Sequence, residues 1–343
     1  MLALRKMSPE ARTLSLEEVD EPAPGPDQVR IAVTAAGMCA TDLHILEGDY
    51  ASRPPVTLGH EIAGVVDGIG AGVDPTWMGA FVAPETAFAT CGACDWCRTA
   101  RPMLCAERLS LGSGVDGGFA SHVLVPTRKL HRLPATLDDH AAALLEPLAC
   151  TCNALFDPNV IEPDDRVVVS GPGPVGLLAA QVARVAGGRV VVVGTAIDAE
   201  RLAVAERLGF ETRSIDVAAD AAEIDCEARS RDIDVVIECA GAASAVGAAL
   251  TWLRPRGTLV QVGLLSGEIT VPFGQIVLRE LRVRSGFGSS PASWLRAVRL
   301  VTDGRIDLQS LVSEVLPLRA WPVALERFER REGLKTLFDP RLA

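Results

Sequence analysis

Residues 164–194 read DDRVVVSGPGPVGLLAAQVARVAGGRVVVVG. An apolar run at 166–170 meets a glycine turn, then a stretch with apolar residues at helical spacing, then a second apolar run that ends near Gly194. Strands apolar on both faces and joined through a helix indicate a parallel sheet buried on both sides. Gly171, Gly173 and Gly176 form G-x-G-x-x-G between strand and helix, with Pro174 and Val175 inside the motif. The first glycine permits the tight turn. The second lets backbone approach a pyrophosphate, and the third lets helix and strand pack closely, with phosphate at the helix N-terminus. With a strand before it and a helix after it, the motif predicts a dinucleotide site rather than a plain turn. The acid that such sites place about 20 residues on is missing. The second strand ends Val193, Gly194, Thr195, Ala196, and the nearest acid, Asp198, lies past it. Thr195 could then give a 2′-phosphate a hydrogen bond and Arg201 a charge, so NADP(H) is expected more readily than NAD(H). Arg201 reads equally well as a helix-surface residue.

Outward from this stretch, DVVIEC at 234–239 and TLVQV at 258–262 continue the alternation of apolar strands with helices. Before residue 150 the chain is rich in Gly and Pro, with short β-like runs at 29–34, 62–66 and 122–125. That texture predicts a β-rich, loop-heavy domain. After residue 285 the chain turns polar and mixed again and is expected to return to the first domain. The expected division is therefore 1–150 with 286–343 as one domain, and 151–285 as an inserted dinucleotide-binding domain of doubly wound α/β type. An Ala-rich patch at 217–222 is expected to be helix or loop.

The chain has 343 residues, 48% apolar and 22% charged, which is a globular composition long enough for two domains. Its formal net charge of -11 argues against a nucleic-acid or membrane-surface partner. No apolar run approaches the length of a bilayer span, and the first residues, MLALRKMSPEARTL, lack the apolar core of a signal peptide. With nine cysteines and no export signal, a reducing, cytoplasmic setting with metal-bound thiolates is expected over a disulfide framework.

Four of those cysteines, Cys91, Cys94, Cys97 and Cys105, lie in CGACDWCRTARPMLC, a spacing that lets one loop wrap a tetrahedral metal. Four thiolates leave no open position, so the expected ion is a structural zinc. A second constellation is dispersed: GMCATDLH at 37–44, GHE at 59–61 and LEPLAC at 145–150. One thiolate, one imidazole and one carboxylate make a three-ligand set that leaves a fourth position for substrate. Cys39 and His60 are the firm candidates. Glu61 and Glu146 compete for the third place.

These motifs, together with GPGPVG, occur in the same order and at similar separations in zinc-dependent medium-chain dehydrogenases, which this chain resembles over essentially its whole length. EPLA resembles the sorbitol and threonine dehydrogenase branch. The resemblance implies a GroES-like catalytic domain beside a Rossmann domain, two zinc ions per chain, and NADP or NAD as cofactor. It implies interconversion of a secondary alcohol (a polyol, an amino alcohol or similar) and its ketone, with zinc as Lewis acid. It also implies a homo-oligomer, dimer or tetramer. Cys39 and His60 would be ligands, with Glu61 or Glu146 completing the set. Asp42 matches the acid that orients the ligating histidine. Thr41 matches the hydroxyl that takes the substrate proton, His44 the histidine that passes it outward, and Lys335 a basic residue that reaches the cofactor.

The chain departs from the family in places. GFGSSPASW, at 286–294, lacks the arginine that resembles a polyol clamp, which leaves the substrate open. Glu85 and Asp95 match nothing and are expected on the solvated surface. Cys150, Cys152, Cys226 and Cys239 lack metal spacing and are expected as small buried residues, Cys150 flanking the nicotinamide. The alternatives are a zinc-free quinone or enone reductase of the same fold, against which Cys39 and His60 argue, and a non-catalytic nucleotide-binding protein.

Overall fold

A computed structural model describes residues 1–215, 232–265 and 267–342. The Ala-rich patch at 217–222 and Cys226 lie outside the described residues. The chain divides into two compact units, one of Met1–Ala149, Ser289–Asp303 and Val312–Ala343, the other of Cys150–Gly288 and Gly304–Leu311.

The second unit is built around residues 164–194. Its strands are ordered Glu211–Ser214, Arg189–Gly194, Arg166–Ser170, Ile233–Glu238, Leu253–Gln261, Arg282–Ser285, and every neighbouring pair is parallel. The valines explain the arrangement. Val167, Val168, Val169, Val192 and Val193 are all buried. Each fully buried valine is worth roughly 1.5–3 kcal/mol over leaving it exposed. The helix Pro174–Val185 begins with a proline in its first turn, where no backbone N–H is needed, and buries an unbroken run from Gly176 to Ala183.

The first unit is antiparallel in the main. Its long sheet runs Leu130–Arg132, Phe81–Pro84, Glu61–Ile69, Gln28–Gly37, Lys335–Phe338, Val312–Leu316, with His122–Pro126 also paired to Gln28–Gly37. The three β-like runs of the sequence fall inside strands Gln28–Gly37, Glu61–Ile69 and His122–Pro126. A core of Leu4, Ile31, Ile62, Phe119 and Phe338, among others, fills this unit. The mixed α/β architecture, with one buried parallel sheet, is the fold expected from the sequence. Among the described residues no helix is long and apolar enough to cross a membrane.

Candidate active site and metal centres

One end of a strand pairing builds the dispersed site. Gln28–Gly37 pairs with Glu61–Ile69 so that Gly37 faces Glu61, and it pairs with Lys335–Phe338 so that Gly37 also faces Leu337. A Cβ on Gly37 would lie 2.1 Å from Glu61 Oε2. Only a glycine lets the Glu61 carboxylate cross its neighbour strand. There both of its oxygens accept from Lys335 Nζ, at 2.8 Å each. The third proton of Lys335 goes to the Met38 carbonyl at 2.9 Å. Lys335 therefore has its three donors engaged within the first unit. Burial works against its ammonium, but the Glu61 carboxylate outweighs that and raises its pKa.

Cys39 caps the helix Ala40–Glu47, which carries Thr41, Asp42 and His44. Asp42 Oδ2 accepts from the Cys39 N–H at 2.9 Å, and Asp42 Oδ1 lies 3.5 Å from His60 Nδ1. The acid thus braces both the thiol-bearing backbone and the imidazole, the usual outer support of a ligating histidine. Burial opposes the charged imidazole of His60, but Asp42 and Cys39 outweigh it and push its pKa well up. Ligand atoms of Cys39, His60 and Glu61 lie within 4.8 Å of one another. Sulfur, nitrogen and carboxylate oxygen converging in this way suit zinc. Thr41 Oγ1 is 3.7 Å from Cys39 Sγ, and His44 is half-buried on the same helix.

Glu146, in the first turn of the helix Leu145–Phe156, is buried but is not a member of that three-residue group. Its Oε1 accepts from Thr86 Oγ1 at 2.6 Å. Sequence reasoning missed Thr86, since a threonine 60 residues away carries no motif signal. It also misplaced the neighbouring residue. Glu85 is not solvated surface: it is 4% exposed and accepts from Lys129 at 2.8 Å, with His131 Nε2 at 3.3 Å. Asp95 is exposed.

The four-cysteine lobe closes on itself. Cys91–Cys97, Cys94–Cys97 and Cys91–Cys105 sulfurs are 3.9, 3.5 and 3.6 Å apart. Four thiolates about 2.3 Å from one zinc stand about 3.8 Å apart at tetrahedral angles. The separations fit that and exceed any disulfide bond. Backbone N–H groups of Ala93 and Cys94 lower the Cys91 pKa to about 7, toward the thiolate a metal needs. None of the eight described cysteines is in a disulfide. Cys152 is buried, while Cys150 and Cys239 are partly exposed.

The dinucleotide loop is set by sterics. Gly171 has φ +98, which L side chains rarely adopt, and a Cβ on Gly176 would stand 1.9 Å from the Gly171 carbonyl oxygen. A Cβ on Gly173 would meet nothing within 4 Å, so that backbone borders open space at the N-terminus of the helix Pro174–Val185, as a phosphate cradle requires. Pro174 and Val175 begin that helix. Arg201 is half-buried on the helix Ala199–Arg207. The end of the second strand departs from the sequence reading, because a carboxylate does stand there. Asp198 Oδ2 accepts from both the N–H and the hydroxyl of Thr195, at 2.9 Å each.

Comparison with known proteins agrees with this geometry. Residues 25–135 match the alcohol dehydrogenase GroES-like domain, and residues 174–303 match the zinc-binding dehydrogenase family. A sorbitol dehydrogenase of Halalkalibacterium halodurans is 38% identical over 99% of both chains. A zinc-binding dehydrogenase of Sinorhizobium meliloti 1021, solved bound to NADP, superposes with a TM-score of 0.88 at 33% identity, covering 99% of each chain. An alcohol dehydrogenase from Escherichia coli CFT073, solved with NADH, gives 0.89 at 26%, again over 99% of each. The chain belongs to the zinc-dependent medium-chain alcohol and polyol dehydrogenases. It is an NAD(P)-dependent zinc oxidoreductase that interconverts an alcohol and its carbonyl compound.

Proposed function

We propose that this chain reversibly oxidises a secondary alcohol with further hydroxyl groups, a polyol or close analogue, to its ketone. The observation that carries the reading is the convergence of Cys39, His60 and Glu61 within 4.8 Å, with the Thr41 hydroxyl 3.7 Å from the Cys39 sulfur. The similarity to a sorbitol dehydrogenase supports the polyol class. Cys39 and His60 hold the catalytic ion. Glu61 completes the set, its carboxylate retaining lone pairs beyond those given to Lys335, and Glu146 on Thr86 is the alternative third ligand. Cys91, Cys94, Cys97 and Cys105 hold the structural ion. When bound, zinc supplies a Lewis acid for the alcohol oxygen, and the nicotinamide supplies the hydride acceptor. Thr41 accepts the hydroxyl proton and His44 passes it outward. Gly171, Gly173, Pro174, Val175, Gly176, Thr195 and Arg201 form the coenzyme site. Lys335, bonded to Glu61 and the Met38 carbonyl, is the basic residue that reaches the coenzyme.

In this reading residues 1–150 and 286–343 make the catalytic domain and 151–285 the coenzyme domain. Cysteines arranged to hold metal rather than paired in disulfides support a cytoplasmic setting. A homo-oligomer is supported by Arg282–Ser285, a sheet edge among the described residues, whose Val283 is 51% exposed, and by Val277 and Leu278 of the preceding helix at 72% and 81%. A sheet edge with an exposed apolar side chain is a template for another strand.

The test is metal analysis followed by a screen of polyols, amino alcohols, simple secondary alcohols and their ketones with both coenzymes. The reading expects two zinc ions per chain and turnover of a polyol-type alcohol. One zinc per chain, or reduction of activated double bonds only, would overturn it.

A further inference from the structure

The second strand of the parallel sheet, Arg189–Gly194, delivers Thr195 to a short turn, Ala196–Asp198, that leads into the helix Ala199–Arg207. The turn is closed by a reciprocal pair. Asp198 N–H donates to the Thr195 carbonyl at 2.9 Å, and Asp198 Oδ2 accepts from Thr195 N–H and Oγ1. Folding back in this way carries the carboxylate from three residues past the strand to the strand's own end. Its position relative to the phosphate loop follows from Gly194. A Cβ there would meet Pro172 Cγ at 2.9 Å and Asp198 Cβ at 3.1 Å. Asp198 therefore stands beside Pro172, inside the Gly171–Gly176 motif, where the strand end and the loop converge.

Two consequences bear on a ligand. The Thr195 hydroxyl spends its proton on Asp198, so it has none to donate to a phosphate. Asp198 Oδ1 takes no hydrogen bond among the described residues, and the side chain is half-exposed, so one carboxylate oxygen remains for a ligand. The sequence has no Lys or Arg between Arg189 and Arg201, and the nearest cation, Arg201, is half-buried on the helix that follows.

We propose that Asp198 is the coenzyme-discriminating residue: its carboxylate accepts a ribose 2′-hydroxyl and repels a 2′-phosphate, making this chain NAD(H)-preferring. The proposal rests on the reading of residues 171–176 as the dinucleotide site. It reverses the preference expected from the missing acid. The strand end lacks a carboxylate in sequence but has one in space, supplied by the capping turn.

The experiment measures dissociation constants of NADH and NADPH by fluorescence titration of the full-length zinc-loaded protein, alongside kcat/KM for both coenzymes. The wild type is expected to bind NADH at least tenfold more tightly. Asp198→Asn keeps an oxygen for the Thr195 cap and removes the charge. It is expected to cut the NADH-to-NADPH preference at least tenfold, with NADPH binding improving and Tm nearly unchanged. Asp198→Ser, which also caps, should move the ratio the same way if the Asn variant fails to fold. A wild type that prefers NADPH, or capped variants with an unchanged ratio, would overturn the proposal. Failure of the dinucleotide site itself would look different, since neither coenzyme would bind in any variant, and the proposal would fall with it.

Discussion

Lys335 and Glu61, 274 positions apart in sequence, form a buried bidentate ion pair with 2.8 Å contacts and side-chain exposures of 4% and 1%. Removing the cation strands a carboxylate in the interior. Lys335→Met should cost about 3–5 kcal/mol of stability in metal-free protein. Zinc bound with Cys39 and His60 gives Glu61 a second cation, so the loss should shrink in the zinc-loaded enzyme. Denaturant unfolding with and without zinc checks this. Equal losses would mean that Glu61 does not turn to the metal.

Thr41→Val keeps the shape of the side chain and deletes the hydroxyl near Cys39 Sγ. Zinc content and coenzyme binding should hold while kcat falls about 10²–10⁴-fold, the usual worth of a positioned proton acceptor. Steady-state kinetics at neutral pH with any working alcohol decides it. Near-normal turnover would remove Thr41 from the proton path.

Glu85 gives the pH dependence. Burial pushes its carboxyl up, but His131 and Lys129 outweigh burial and hold it below the ordinary value. A carboxyl depressed in the folded state stabilises above its unfolded pKa of about 4.3, and that contribution is lost as pH falls through the lower folded value. Wild-type stability should therefore drop below about pH 4 in part through this group. Glu85→Gln should cost about 3 kcal/mol at pH 7, because it leaves Lys129 buried without its partner. Its stability curve should be flatter on the acid side. Chemical denaturation between pH 3 and pH 7 measures both, and identical acid slopes would refute the assignment.

Cys97→Ser breaks a closed four-thiolate set. Zinc per chain should fall from two to one and Tm should drop, because binding energy at a structural site is folding energy. Retained zinc with an unchanged Tm would remove the lobe's structural role.

Val283→Asp places a charge on the exposed sheet edge. If that edge pairs with a second copy, sedimentation should show a smaller assembly with the fold intact by circular dichroism. An unchanged mass would place the contact elsewhere.

What the sequence determined by itself was what a few consecutive residues can encode. Glycine spacing after an apolar strand specified the tight turn, because the sterics at Gly171 and Gly176 act within five residues. Cysteine spacing specified the lobe, because one short loop brings four sulfurs together. Only the tertiary structure decided which partner each buried charge takes. Glu61 meets Lys335 because three strands pair in a register that sets Gly37 opposite both Glu61 and Leu337. Glu85 and Thr86 look like loop polarity in sequence, yet they meet Lys129 and Glu146 across 44 and 60 residues. Asp198 is the instructive local miss. Its distance along the chain placed it past the strand, but a capping turn reverses direction within three residues and returns the carboxylate to the strand end. Sequence separation orders residues along a line, whereas an electrostatic partner is chosen by distance in space. Strand register and chain reversal set that distance, and neither is written in the residue types alone.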